Sequence, residues 1–247
     1  MSEATRKGAI LMKRLAYGVG VLTSLGLMGG ALLGRLPLNP MEVFGFITGG
    51  WCVWLTVEQN VWTWPIGIVN SAAFLILFVQ ARLFADGSLQ AVYIVLGALG
   101  WYWWLRGGAR NTTLAVSRTS GGTALILAGL LIGCTAALTV ALVWVRDAAP
   151  FWDALTTVLS LIAQYMLTRK MYENWWLWIS ADMIYVVLYA SKGLPLTAVL
   201  YAVFLLMCVA GLRQWRVALG APAPRFAVVA VARWAVTEES EAPRVAV

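Results

Sequence analysis

Histidine is absent from this chain of 247 residues, cysteine occurs three times, and charged residues make up only 12%. Without imidazole, His-based catalytic triads, histidine-bound zinc and haem held on histidine are excluded by inventory. Cys52, Cys134 and Cys208 each fall inside an apolar run, too far apart for a CxxC pair. They read as small core or lipid-facing residues and imply neither redox chemistry nor a disulfide framework. No GxxxxGK[ST] phosphate loop is present, so ATP hydrolysis by this chain is excluded as well. No cofactor and no metal is expected. The shortage of charge is the most informative absence, because a soluble domain carries about a quarter charged residues.

What is present in its place is apolar. Hydrophobic residues make up 61%, with 14 Trp, and the mean hydropathy is +0.79. A hydrocarbon core about 30 Å thick takes roughly 20 apolar residues in a helix. That ruler places eight membrane helices at about 16–34, 41–57, 61–81, 89–105, 123–145, 151–167, 175–190 and 194–212. The expected class is an all-α integral membrane protein, bound to the lipid bilayer as its solvent.

The net charge of +7 would suggest nucleic acid in a soluble protein, but here the distribution of Lys and Arg explains it. On the eight-helix map, 14 of them fall on one side of the membrane and only Arg35, Arg82, Arg146 and Lys192 on the other. Basic residues accumulate in cytoplasmic loops, so both termini are expected in the cytoplasm and no nucleic-acid partner is needed. The first helix follows Arg6, Lys7, Lys13 and Arg14 as a signal peptide would. No convincing small-x-small cleavage pattern follows near Gly34, so it is read as retained.

Helices two to four resemble helices six to eight. Asn60-Val61-Trp62-Thr63-Trp64 lies over Asn174-Trp175-Trp176-Leu177-Trp178, and Trp104-Leu105-Arg106 over Gly211-Leu212-Arg213. Two three-helix units joined by one helix keep the same orientation, the parallel 3+1+3 arrangement of SWEET-type transporters. The expected organisation is a cytoplasmic N-terminus with an extra helix (1–40), a first repeat (41–106), a cytoplasmic loop and linker helix (107–150), a second repeat (151–216) and a cytoplasmic tail (217–247).

Polar side chains inside spans are the candidate functional residues, since lipid gives them no partner. Helix six carries Asp153, Thr157, Ser160 and Gln164 at helical spacing, and helix seven carries Asn174, Trp178, Asp182 and Tyr185. In antiparallel neighbours, Thr157 with Tyr185, Ser160 with Asp182 and Gln164 with Trp178 come to equal depth. The two faces would form a polar and aromatic wall through the membrane midplane. The first repeat offers a sparser set, Trp51, Trp64 and Asn70, with Pro65 expected to kink helix three.

Structural readings stand beside these. Thr and Ser bond to their own helix, Asn and Gln join helices, and Trp and Tyr crowd the interface. Trp62, Trp101, Trp103, Trp104, Trp175 and Trp176 fit such roles better than a binding role. Asp182 does not, because it is the only carboxylate near the middle of a span and no Lys or Arg lies in a span to pair with it. A packed alternative would have it protonated or bonded to Ser160. Arg169, Lys170 and Glu173 read as a topology anchor with a local ion pair, or as a gate at that turn. An intramembrane enzyme using Asp153 and Asp182 is disfavoured by their different depths, and a scaffold without transport is the remaining rival.

Pro150-Phe151-Trp152-Asp153, Leu159-Ser160, Thr168-Arg169-Lys170, Glu173-Asn174-Trp175 and Trp178, together with Trp64-Pro65-Ile66-Gly67-Ile68-Val69-Asn70 and Gly100-Trp101-Tyr102, strongly resemble the PnuC family of vitamin transporters over roughly 42–215. The resemblance implies a homotrimer of SWEET-like subunits in a bacterial inner membrane. It implies facilitated diffusion of nicotinamide riboside, trapped afterwards by a separate cytoplasmic kinase, with thiamine or another vitamin as the alternative cargo. A pyridinium is a flat cation that aromatic faces attract, and Asp182, Gln164 and Asn70 offer partners for its polar groups. An imported nucleoside of this kind needs no coupling ion, so uniport is expected.

Overall fold

The computed structural model describes residues 3–36, 40–80, 82, 84–191, 193 and 195–220. The cytoplasmic-tail assignment lies outside the described residues from 221 onward, as do Ala81, Lys192 and Leu194. Among the described residues there are eight α-helices: α1 (Glu3–Leu32), α2 (Pro40–Val57), α3 (Thr63–Gln80), α4 (Phe84–Arg106), α5 (Gly121–Trp144), α6 (Pro150–Thr168), α7 (Asn174–Ser191) and α8 (Pro195–Ala218), with one 3-10 turn at Ala109–Asn111. The all-helical class and the number of helices match expectation.

Two helices outrun the apolar ruler for a shared reason. Hydrophobic length measures the thickness of lipid, whereas a helix continues through any residue that tolerates it. Thus α1 begins thirteen residues before Ala16, and α8 runs on through Arg213, Gln214 and Arg216. Pro65 causes no kink. It stands in the first turn of α3, where its missing N–H belongs to the groups that have no helical partner in any case.

Helix ends repeat one device. Gly34, Gln59, Arg146 and Lys170 adopt positive φ values of 65°, 55°, 57° and 48° immediately after α1, α2, α5 and α6. In each turn the next residue's N–H reaches back to a carbonyl five residues earlier: Arg35 to Gly30, Asn60 to Leu55, Asp147 to Leu142 and Met171 to Met166. This left-handed cap favours glycine, because a Cβ strains it. Arg146 is exposed, so Arg146→Gly is expected to stabilise the protein by about 0.5–1 kcal/mol. Arg146→Ala, which keeps the Cβ, should not. Thermal unfolding of the two variants in detergent checks this.

The chain divides into two compact units, residues 1–51 and 52–247. In the first, Trp51 packs on α1: its ring lies 3.1 Å from the position a Cβ on Gly20 would take, and it stands 5.6 Å from Tyr17 and donates from Nε1 to Ser24 Oγ. In the second, α3 pairs with α4 and α7 with α8, while α6 contacts α4, α5 and α7. The centrality of α6 shows in its burial, with Ala154 and Ala163 fully enclosed. By contrast α5 presents Leu125, Ile126, Ile132 and Val140 outward, as a helix facing lipid would. Thr63–Gln80, Gly121–Trp144 and Ala198–Ala218 are long and apolar enough to cross a membrane, and Tyr17–Leu32 and Val43–Val57 are shorter apolar helices.

Four tryptophans form the centre of the second unit. Trp64 meets Trp104 edge to face at 5.3 Å, Trp175 meets Trp215 edge to face at 5.4 Å, and Trp104 and Trp215 are 6.0 Å apart. Trp64 packs against Gly100 and Trp175 against Gly211 so closely that a Cβ on either glycine would collide with the indole. Trp104 Nε1 donates to Leu167 O, and Trp215 Nε1 donates to Thr56 O, each at 3.1 Å. Every element of this description recurs at a constant separation of 111 residues: Trp64 and Trp175, Gly100 and Gly211, Trp104 and Trp215, Thr56 and Leu167. The starts of α3 and α7, and of α4 and α8, obey the same separation, as do the left-handed residues Gln59 and Lys170.

Candidate functional site

Asp182 lies halfway along α7 and is 5% exposed. Its Oδ2 accepts a hydrogen bond from the Cys208 thiol of α8 at 3.4 Å, the partner the sequence reading assigned to Ser160. One turn and two turns further along α7 stand Tyr185 and Tyr189, which pack against Tyr201 of α8 at 4.6 and 5.3 Å. Tyr201 in turn meets Phe204 edge to face. Asp182, Tyr185 and Tyr189 share a face because they are three and seven residues apart, and Tyr201, Phe204 and Cys208 share one for the same reason. Two antiparallel stripes therefore zip together from the carboxylate toward the α7–α8 connection.

From α6 and α4 come the remaining polar groups. Ser160 is buried and lies close enough to Tyr185 and to Tyr93 of α4 to interact with both hydroxyls. Thr156, one turn before it, is 1% exposed, donates to Trp152 O at 2.9 Å and also reaches Tyr185. Thr157 and Gln164 are half-buried on the flank of this face. The inward face of α6 is thus Thr156, Ser160 and Ala163, rotated by one residue from the stripe read from sequence. Tyr93, Thr156, Tyr189, Tyr201 and Cys208 were missed. Spacing from Asp182 and Tyr185 could have found Tyr189, but Tyr93, Tyr201 and Cys208 needed the pairing of helices.

The other sequence candidates occupy the tryptophan end. Asn174 opens α7, is fully buried and donates from Nδ2 to Met171 O at 2.6 Å, leaving Oδ1 without a partner among the described residues. The buried Nε1 groups of Trp64 and Trp175 are likewise unpartnered. Trp178 is half-buried against the four-tryptophan core. Asn70 is half-buried on α3 and has a bonding partner. Trp51 belongs to the first unit, packed on α1 as described.

The α6–α7 turn departs from the expected local ion pair. Glu173 Oε2 accepts from both the backbone N–H and the hydroxyl of Thr119, at 2.8 and 2.7 Å. Tyr172 N donates to Ser117 O and Ser117 N to Lys170 O, so the segment between α4 and α5 is strapped to this turn. Lys170 is 3% exposed, with Nζ 4.4 Å from the centre of the Trp104 ring and 3.4 Å from Gln59 Oε1. Burial draws its ammonium down from the usual lysine range to about 8. Arg169 lies over Trp103 at 4.6 Å.

A carboxylate, a serine and three phenols facing one another inside a helical bundle can hold a small polar cation. Among the described residues there is no cluster of three or more metal-ligating side chains.

A model of a family described as nicotinamide mononucleotide transporters matches residues 39–217. The nicotinamide riboside transporter PnuC of Escherichia coli strain K12 is 29% identical over 208 residues, which is 74% of this chain and 87% of that protein. The riboflavin/roseoflavin transporter RibM of Streptomyces davaonensis is 28% identical over 180 residues, or 70% and 83%. The fold is similar to the crystal structure of the vitamin B3 transporter PnuC, with a TM-score of 0.59 and 21% identity, covering 81% of this chain and 89% of that one. With its apolar helices, this is a multi-pass membrane protein. It belongs to the nicotinamide mononucleotide transporter family.

Proposed function

We propose that the protein imports nicotinamide riboside across a bacterial inner membrane by facilitated diffusion. The observation that carries this reading is the buried Asp182 beside aromatic residues of α7 and α8, a setting suited to a flat pyridinium cation. The relatives named as nicotinamide riboside transporters support the same cargo. Asp182, Ser160, Thr157, Gln164, Tyr185 and Trp178 bind it from the second repeat, with Asn174 near the tryptophan core and Trp51, Trp64 and Asn70 contributing from the first. The cargo passes unchanged, no chemistry is performed on it here, and a separate cytoplasmic kinase retains it.

The recurrence at 111 residues supports a parallel 3+1+3 architecture, in which α2–α4 and α6–α8 are repeats, α5 links them and α1 is additional. The matching domain limits are 1–40, 41–106, 107–150, 151–216 and 217–247. The bias of basic residues to one side supports cytoplasmic termini, and the resemblance to the PnuC family supports a homotrimer.

A second cargo has a specific observation behind it: RibM, at nearly the same identity, is named a riboflavin/roseoflavin transporter. Thiamine remains a third, as another flat cation. Titrating the purified protein while following Trp fluorescence separates them. Saturable quenching by nicotinamide riboside, and not by riboflavin, thiamine or nicotinamide, is expected. Saturation by riboflavin or thiamine alone would reassign the cargo, and silence to all four would overturn the transport reading. Uptake into liposomes should need no imposed proton or sodium gradient.

A further inference from the structure

The second repeat contains an internal control. Residues at the 111-residue separation from Tyr185 and Tyr189 are Phe74 and Phe78, and these stack at 5.8 Å and 30°, close to the 6.0 Å and 26° of the tyrosine pair. Tyr201 corresponds to Gln90, Asp182 to Ser71 and Cys208 to Gly97. The ring packing that the helix pair needs is therefore met without hydroxyls in the first repeat. Hydroxyls and carboxylates are concentrated in the second, where they are surplus to packing and costly in lipid unless they meet a polar ligand.

Two carboxylates bracket the three phenols. Asp182 influences Tyr201 at one end, and Asp153, half-buried in the first turn of α6, influences Tyr185 at the other. Tyr185, Tyr189 and Tyr201 are each only partly buried, so their stack keeps open edges. The cluster extends from the middle of α7 to the end remote from the α6–α7 turn.

We propose that Asp153, Tyr185, Tyr189 and Tyr201 form a station for flat organic cations, occupied before or after the cargo meets Asp182. Aromatic faces and a nearby carboxylate both favour positive charge, so the station discriminates by charge more than by shape. It deepens the cargo reading above and rests on it only for the identity of the natural cation.

The test uses the full chain in detergent and two probes with the same ring, 1-methylnicotinamide as the cation and nicotinamide as its neutral counterpart. Calorimetric titration should show the wild type preferring the cation by about tenfold. Asp153→Asn, which keeps the size of the side chain and leaves the ring stack intact, should reduce that preference to less than about twofold, as should Tyr201→Leu. Tyr201→Phe, which keeps the ring, should retain most of it. A wild type without preference, or a preference unchanged in Asp153→Asn, would overturn the station. If the charge preference is present and the wild type nevertheless imports no nicotinamide riboside, the cargo reading fails and the station stands. Uptake of nicotinamide riboside with no change of preference in Asp153→Asn is the reverse result.

Discussion

Gly211→Ala is expected to destabilise the protein by about 2 kcal/mol, although the substitution improves the intrinsic preference of α8 for a helix. Propensity alone favours alanine over glycine by about 1 kcal/mol inside a helix. Against this stands the Trp175 ring, which a Cβ on Gly211 would penetrate. Trp175 is 1% exposed and is held by Trp215 across its edge, so it cannot swing aside, and overpacking of this kind costs about 1–3 kcal/mol or more. Gly100→Ala should behave the same way, because Trp64 occupies the equivalent position with 3% exposure. Gly133→Ala in α5 is the matched control: nothing lies within 4 Å of its Cβ position. Thermal unfolding in detergent should show the two tryptophan-facing variants falling and the control unchanged or rising. A rise in all three would mean that the indoles repack freely.

These glycines also show what was legible in the sequence. The helices were visible, because lipid thickness sets a length that apolar runs must meet, and α2, α6 and α7 agree with it to within a residue or two at each end. The repeat was visible, but its register was not. Matching Asn60 to Asn174 implies a separation of 114, and matching Trp104 to Gly211 implies 107, where the structure repeats at 111. Both differences are close to one helical turn, which keeps the same face and so leaves apolar periodicity almost unchanged. The true register is marked by left-handed caps at Gln59 and Lys170, and because neither is glycine the usual sequence signal for such a turn is missing.

The candidate site was legible along each helix and illegible between helices. Asp182 and Tyr185 stood out because polarity in a span needs a reason. Cys208 did not, since a cysteine in an apolar run passes for a small hydrophobe. The one-residue rotation of α6, which buries Thr156 and leaves Thr157 on the flank, reflects its contacts with three other helices. A single facing stripe cannot describe a helix enclosed on several sides. Glu173 was misassigned for a related reason, as its partner Thr119 lies 54 residues earlier in the chain.

Asp182→Asn is expected to weaken nicotinamide riboside binding about thirtyfold while the folded protein keeps or gains thermal stability. The two effects have opposite signs for one physical reason. A carboxylate enclosed in the bundle, with only the Cys208 thiol as its printed donor, is expensive to keep in the absence of a cation, and replacing it by a neutral amide removes that expense. The same replacement removes a charge-assisted contact to the cargo, worth about 2 kcal/mol, or roughly thirtyfold in affinity. The first repeat supports a tolerant fold, since Ser71 occupies the position equivalent to Asp182 and is buried there. Asp182→Ser is accordingly the companion variant, expected to fold and to lose affinity at least as strongly. Fluorescence titration and thermal unfolding on the same samples decide the matter. Affinity lost with stability preserved makes Asp182 a counter-charge for the cargo. Affinity lost only in proportion to a loss of folded protein would make it a packing residue joined to Cys208, and the binding role would then have to come from Gln164, Asn70 and the aromatic groups alone.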